Sequence, residues 1–472
     1  MPSPRAHGAV FVALALAAVL GLVSLLGVLQ GCSSTVGPTL PSPQGQCTSA
    51  LINPPDNSGG NIVEGTGGQP DFTPNDPTLP DPVFPSPVTL PPLGDIPLLA
   101  GVYQPGTNQT LPGGVYGHND IVIDGVTLQY TGNTTLTASG GLTVRNGGEI
   151  RCSGDLEVRV RRDVRMDDGQ IRTDALGVGD SADLTLKCGG GMDLANSSNI
   201  HAFGVDASRG GALLVAARGG NIEADNFCRI QSEVFASSGP NRNCTVLARG
   251  SVVLTGTPQG PCLISAGGSA DSTGGNVLVG TVNGDVSLDF SAIATAGGVT
   301  GRGIEVRSGG GVVLTNLSAI TQGGFAGGVP GEPGVSVYAL DGPITVSGEG
   351  IWSAAGPPAR DVLLLANGLV TLQGSAQVYT SGSPDTGSSG DITIIGYRCA
   401  DWLAPAVEFV GSQVEIYTGP GYDDVGDINI WGFASAPATS DAIRWGTASI
   451  RTGTSSMPVA GDVILRARCC GA

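Results

Sequence analysis

The side chains best equipped for chemistry are acids and bases set among glycines and short alternating segments. Asp423, Asp424 and Asp427 lie in and beside the turn-like stretch Gly419-Pro420-Gly421-Tyr422. Loops of Asp and Gly hold Ca²⁺ through carboxylate and carbonyl oxygens, and the same residue types also serve as plain turn formers. No EF-hand loop and no run of nonapeptide calcium repeats accompanies them. A second acidic feature is an Asp directly before a strand-like triplet, at Asp155, Asp183, Asp361, Asp391, Asp427 and Asp462. The last four fall in successive repeats, which predicts a column of carboxylates ~5 Å apart. Such a column repels itself unless each member accepts backbone N–H bonds or shares a cation, so it reads as a set of caps or as a calcium ladder. Arg159 and Arg161 alternate with apolar Val158 and Val160, which predicts a shared outward face, with Lys187 stacked beside Arg159 one repeat on. With Arg162, Arg165, Asp167 and Asp168 this is the densest charged patch. It is either a site for an acidic glycan or a solvated face balanced by Glu157 and Asp163.

Nucleophilic chemistry finds no support. Beyond the first residues histidine occurs only at His118 and His201, and no serine or cysteine stands in a nucleophile elbow. Glycine clusters such as Gly189-Gly190-Gly191 do not open a helix after a strand, so they are turns rather than phosphate cradles. Aromatic residues concentrate late in the chain, at Tyr397, Trp402, Phe409, Tyr417, Tyr422, Trp431, Phe433 and Trp445. There they either stack on sugar faces or fill a core.

The elements that must position these groups form a repeat. A first alternating triplet starts at Leu156, Leu184, Leu213, Cys244, Val277, Ile304, Val335, Val362, Ile392, Ile428 and Val463, with steps of 27 to 36 residues. A second triplet recurs as Val286-Ser287-Leu288, Val312-Val313-Leu314, Ile344-Thr345-Val346 and Val370-Thr371-Leu372. A third places an apolar residue two before a small one, as in Ile171/Thr173, Ile293/Thr295, Val378/Thr380 and Ile450/Thr452. Three short strands per ~30 residues mark a solenoid, because one turn cannot close a core and stacked turns can. Variable steps with constant strands argue against a propeller, whose blades need four longer strands. The expected fold is all-β, a single right-handed parallel β-helix over 101–472, of about 11–13 coils. The segment from Leu111 to Ile123 is expected to start and cap the first coil.

Composition agrees. Of 472 residues 77 are Gly and 32 Pro, only 13% are charged, and mean hydropathy is +0.16. Those values exclude a disordered, highly charged chain and a mainly helical one. A net charge of −18 makes nucleic acid and anionic membrane surfaces poor partners. Residues 33–100 contain 15 prolines and no lasting hydrophobic period, so residues 32–100 are expected to form a Pro-rich spacer.

At the N-terminus a basic Arg5 precedes an apolar run from Ala9 to Leu29, ending Leu29-Gln30-Gly31-Cys32. This resembles the lipobox of bacterial lipoproteins, although Gln30 stands where that motif prefers a small residue. The resemblance implies a signal peptide over 1–31 and lipidation of Cys32, with export and membrane attachment through the lipid. An uncleaved span of the same length is the other reading. Ser33 follows in place of the Asp that favours inner-membrane retention, which points to an outer-membrane lipoprotein, periplasm-facing or surface-displayed. Ten cysteines fit an oxidising compartment. Without Cys32 nine remain, so at least one thiol is unpaired or pairs between molecules, and Cys469-Cys470 can fasten the last strand to an earlier part such as Cys399.

Coils such as Gly284-Asp285-Val286-Ser287-Leu288 through Ser291-Ala292-Ile293-Ala294-Thr295 resemble those of filamentous-haemagglutinin-type adhesins and the wider pectin-lyase-like class. The resemblance covers about 350 residues and implies architecture more than activity. The expected role is a non-catalytic structural or adhesive module of the cell envelope, needing no cofactor, with a glycan or an envelope protein as partner. The alternative is a carbohydrate-active β-helix enzyme on an acidic glycan.

Overall fold

The computed structural model describes residues 61–63, 71–74, 76–175, 182–205, 211–235, 243–268, 275–297, 302–324, 334–348, 350–355, 360–381, 389–399, 405–411, 413–419, 425–434, 441–446, 448–452 and 461–470. These belong to one compact unit. Every described element is a strand, and the strands stack in three parallel sheets of 14, 13 and 14 members. Sheet I carries the first triplet of each repeat (Leu156–Val160, Leu184–Cys188), sheet II the second (Val164–Asp167, Met192–Ala195) and sheet III the third (Gln170–Ala175, Asn199–Val205). The chain visits I, II and III in turn and then steps one coil along, which is a parallel β-helix.

Register is strict. Leu156 pairs with Leu184, Leu184 with Leu213, and so on to Ile428 with Val463. In many strands buried and half-exposed residues alternate, as in Leu156–Val160 and Val335–Ala339. On sheet III the inward apolar residues Ile171, Ile200, Ile230, Ile264, Ile293, Ile320, Ile351, Val378, Ile416 and Ile450 are all at most 1% exposed. They form one side of a continuous core running through the coils. At ~4.8 Å per strand the thirteen coils from Gly114–His118 to Val463–Cys469 on sheet I span about 58 Å.

Two early sheet I strands, Gly114–His118 and Thr134–Ala138, precede the first triplet recognised in the sequence. They start only 20 and 22 residues before the next strand of their sheet, below the regular period. The connections after sheet III are short there, and that hid the first coils. The first coil itself runs through Val102–Tyr103, Gln109–Leu111 and Gly114–His118.

The small residue ending the third triplet has a structural task. The inward hydroxyls of Thr173, Ser232, Thr295, Thr380, Thr418 and Thr452 donate to carbonyls of the chain re-entering sheet I: Ala182, Gly211, Arg302, Gly390, Gly426 and Gly461, at 2.6–2.8 Å. A Cβ on Gly426 or Gly461 would collide with the glycine backbone one coil back, so only glycine stacks there. Except at Ser232, which reaches the re-entry of the coil before, each of these hydroxyl clasps closes its own coil across the intervening loop, so loop length can vary while strands do not. Ala202 and Ala266 hold the same place without a hydroxyl.

The Pro-rich stretch departs from the spacer expectation over its described part. Asn61–Val63 pairs with Ser449–Arg451 and Asp71–Thr73 with Ile464–Arg466, adding a strand to sheets III and I beyond the last coil. From there the chain runs back along the outer face of sheet I to the first coil. The Asp76 N–H donates to the Ala467 carbonyl at 2.8 Å, and Leu79 packs on Leu365, Ile395 and Phe433. Arg307 donates to the Ser86 carbonyl at 2.7 Å, Val88 packs on Ala216 and Leu247, and the Leu99 N–H reaches Ser139 Oγ at 3.0 Å. Eleven coil steps from Ala467 to Ser139, about 53 Å, over the 23 residue steps from Asp76 to Leu99 give ~2.3 Å per residue, well beyond the ~1.5 Å of a helix and toward the ~3.1 Å of polyproline II. Proline stiffness thus makes a strap that lies on the sheet, and residues 32–60 of the expected spacer lie outside the described residues.

Candidate binding face

The strap decides which faces remain open. Arg159 and Lys187 do stack as neighbours on sheet I, as expected. Both are tied to Glu157, Arg159 Nη2 at 2.5 Å and Lys187 Nζ at 2.8 Å, and Gly94 of the strap lies against the Arg159 guanidinium. The two cations hold the Glu157 carboxyl below its ordinary range, Arg159 most strongly. Arg161 is not on that strand: it is an exposed residue in the bend after Val160, where the chain turns toward sheet II. The three cations are therefore not gathered into one site.

The column of Asp residues before sheet I consists of caps. Asp155 Oδ1 accepts the Asp183 N–H at 2.9 Å and Asp183 Oδ1 the Ala212 N–H at 2.8 Å. Asp361, Asp391 and Asp427 accept the N–H groups of Asp391, Asp427 and Asp462 at 2.8–2.9 Å. Asn133 and Asn243 do the same at equivalent places, so the task needs the oxygen and not the charge. Asp427, offered as a metal ligand, is thus a cap, whereas Asp423 and Asp424 lie outside the described residues. Among the described residues no group of three or more His, Cys, Asp or Glu is placed to hold a metal. Asp167 accepts from Asn196 Nδ2 at 2.8 Å in the turn between sheets II and III. His118 stacks on Tyr103 with centroids 4.4 Å apart.

Sheet III presents the more informative outer face, with two distinct halves. In the first, Arg172 pairs with His201 and His201 with Gln231 in register, while Asp174, Phe203 and Glu233 form the next column. Arg151 bonds Asp174, and Arg172 lies 2.7 Å from Glu149 and 3.6 Å from Asp174. His201 sits edge-on to Phe203 with its Nε2 buried and without a hydrogen-bond partner. Burial, with Arg229 and Arg172 nearby, lowers its pKa to about 3, so the imidazole is neutral. Burial pushes the Glu233 carboxyl up, against the pull of Arg229. A neutral histidine and a carboxyl whose pKa is raised, with Arg151, Arg172 and Arg229 nearby, are groups that acid–base chemistry uses. They also form a compensated network in which Arg151 and Arg172 are already held by Asp174 and Glu149, while Arg229 lies over the Phe227 ring.

In the second half the outward column reads Trp352, Tyr379, Tyr417, Arg451 on successive coils. The Trp352 and Tyr379 rings are 6.3 Å apart and inclined at 71°, and those of Tyr379 and Tyr417 are 6.4 Å apart and near-parallel at 13°. Tyr417 reclines along its own strand, and a Cβ on Gly419 would collide with its ring, so that glycine admits the pose. With Gln377 and Glu415 the rings line a half-open concavity of about 370 Å³. Among the described residues neither tyrosine hydroxyl has a hydrogen-bond partner. Of the aromatics singled out in the sequence, Phe409 and Trp445 pack edge-to-face inside the core at 4.8 Å, and Tyr397 and Phe433 pack under the strap. Trp402 and Tyr422 lie outside the described residues. Trp352 and Tyr379 were missed because aromatics were weighed by local density. Their separations of 27 and 38 residues along the Trp352–Tyr379–Tyr417 series are coil steps, and that was the available signal.

Cysteine use is mixed. Cys399 and Cys470 form a disulfide with Cα atoms 5.4 Å apart, the fastening of the last strand that the sequence suggested. Cys152, Cys188, Cys228, Cys244 and Cys262 are buried free thiols. Comparison with protein families, with characterised proteins and with solved structures finds no match.

Proposed function

We propose that this chain is an exported, lipid-anchored β-helix protein of the bacterial cell envelope, structural or adhesive and acting without catalysis. The observation that carries the non-catalytic reading is the use made of the polar groups. The Asp column caps coils, and the face bearing Arg159 and Lys187 is covered by the chain's own strap. Its likeness to filamentous-haemagglutinin-type and pectin-lyase-like coils supports a rod that displays a surface. The motif ending at Cys32 supports a lipid anchor in the outer membrane, facing the periplasm or the exterior. The tether reaches the solenoid beside its last coil, since Asn61–Val63 joins the strand Ser449–Thr452. The partner is a glycan or an envelope protein, and the charge of −18 disfavours nucleic acid. No cofactor is part of this reading, and calcium at Asp423, Asp424 and Asp427 is tested by a melting titration with calcium and chelator. Palmitate labelling and membrane fractionation of the wild type and Cys32→Ser test the anchor. Loss of label and release into the soluble fraction are expected, and an unlabelled wild type refutes it.

One observation favours the enzyme alternative, the cluster of His201, Glu233, Arg172 and Arg229 on sheet III. Arg172 and Arg229, with Arg151 beside Asp174, suit an acidic glycan, and Glu233, which burial pushes up, is the group to act as acid. Turnover of such a glycan, lost in Glu233→Gln with the fold intact, would establish it. Retained turnover in Asp167→Ala would separate this cluster from the turn acids.

A further inference from the structure

We infer that the concavity lined by Trp352, Tyr379 and Tyr417 is a binding site for a short segment of neutral glycan. The inference deepens the adhesive reading above and rests on it for its biological setting only. The concavity, about 370 Å³, has the volume of a ligand pocket. Its lining combines three amphipathic rings with one amide and one carboxylate, Gln377 and Glu415. That pairing suits a sugar. The C–H face of a pyranose carries partial positive charge and settles on the electron-rich ring face, while its equatorial hydroxyls meet amide, carboxylate and phenol groups. The tyrosine hydroxyls, without partners among the described residues, supply two of those polar contacts.

Geometry also limits the length. The three rings occupy three consecutive coils, ~10 Å from first to last. The site therefore takes a short oligosaccharide stretch lying along the solenoid axis. Charge selects the class. Glu415 lines the site, Arg451 beside it is drawn to that carboxylate at 3.9 Å, and the chain carries −18 overall. A polyanionic glycan would be repelled, and a neutral one is not. The strands that carry the rings are anchored by the inward Ile351, Val378 and Ile416, each 0% exposed, so the backbone beneath the site is in place before binding.

The test is a neutral and anionic glycan array followed by calorimetry on the full chain with its anchor cysteine as Cys32→Ser. Binding to at least one neutral glycan is expected, with polygalacturonate and alginate unbound. Tyr379→Ala and Tyr417→Ala should each weaken it roughly tenfold, with circular dichroism and melting temperature retained. Trp352→Phe, which keeps a ring, should weaken it less than Trp352→Ala. Glu233→Gln, on the other half of the face, should leave it unchanged. No binding to any neutral glycan overturns the site, as does binding that survives both tyrosine changes, or preference for the polyanions. The outcomes are separable from those of the anchor. An unlabelled wild type with ring-dependent glycan binding removes the lipoprotein reading and keeps the site. A labelled, membrane-held protein that binds no glycan does the reverse.

Discussion

At the scale of single residues, the chain shows one chemical task repeated many times. Thr380, Gly390 and Asp391 illustrate it: the hydroxyl holds the glycine carbonyl, the missing Cβ lets coils touch, and the carboxylate caps the next coil. Asp427→Ala should therefore lower stability by ~1 kcal/mol in urea denaturation, the usual loss of a capping acceptor. Asp427→Asn should retain it, because asparagine does this work at Asn133 and Asn243. A calcium ladder predicts instead that both variants lose stability. His201 gives a second residue-scale expectation. Its folded pKa lies far below that of an unfolded histidine, so the unfolded state binds the proton first. Stability should thus fall as pH drops from about 6.5 toward 3, and His201→Gln should flatten that part of the pH–stability curve. Cys188 and Cys244, whose thiols burial pushes up to about 12, should stay unreactive toward thiol reagents until the chain unfolds.

At the scale of elements, the strap is the feature that composition misread. Its seats are sheet I strands that read apolar on both faces: Leu213–Ala217, Val362–Ala366 and Ile392–Arg398 place Ala216, Leu365 and Ile395 outward. Near-continuous apolar strands mark a sheet buried on both sides, and here the second cover is the chain's own Leu79 and Val88. Leu79→Ala should cost about 2–3 kcal/mol locally and open residues 76–99 to limited proteolysis while the coils resist. Asp76 fixes the strap's entry by accepting the Thr78 N–H and hydroxyl at 2.8 and 2.6 Å. The Thr78 hydroxyl, chiefly, holds its carboxyl below the ordinary value of 3.8. That contribution is complete above 3.8 and disappears as pH falls through the lower folded value, so strap cleavage should rise only in strong acid.

At the scale of the whole molecule, coils are fastened at fixed points. The clasp at Thr380 and Gly390 closes a coil irrespective of what lies in 382–388. Doubling that loop with Gly-Ser residues should cost only ~0.6 kcal/mol in denaturant unfolding. The same device leaves loops and outward columns free to carry binding while the inward columns stay uniform. The added strands Asn61–Val63 and Asp71–Thr73 also cover two edges of the last coil, which would otherwise expose unpaired backbone groups.

Taken alone, the order of residues determined the period, the three strands per coil and the inward alternation, because these depend on local spacing along the chain. Stacking Arg159 on Lys187 also followed from that period, whereas the sequence offered both Cys469 and Cys470 for a link such as that to Cys399, and Cys470 makes it. What only the tertiary structure decided are contacts between segments far apart in sequence. The strap lies on sheet I because its prolines can be extended and its leucines meet apolar seats hundreds of residues away, and neither fact is visible within a window of thirty residues. The ring-lined concavity has the same origin. Trp352, Tyr379 and Tyr417 become neighbours only when unequal loops are folded out and the strands fall into register. Composition specifies how each coil is built, whereas registry through space specifies what the assembled face can hold.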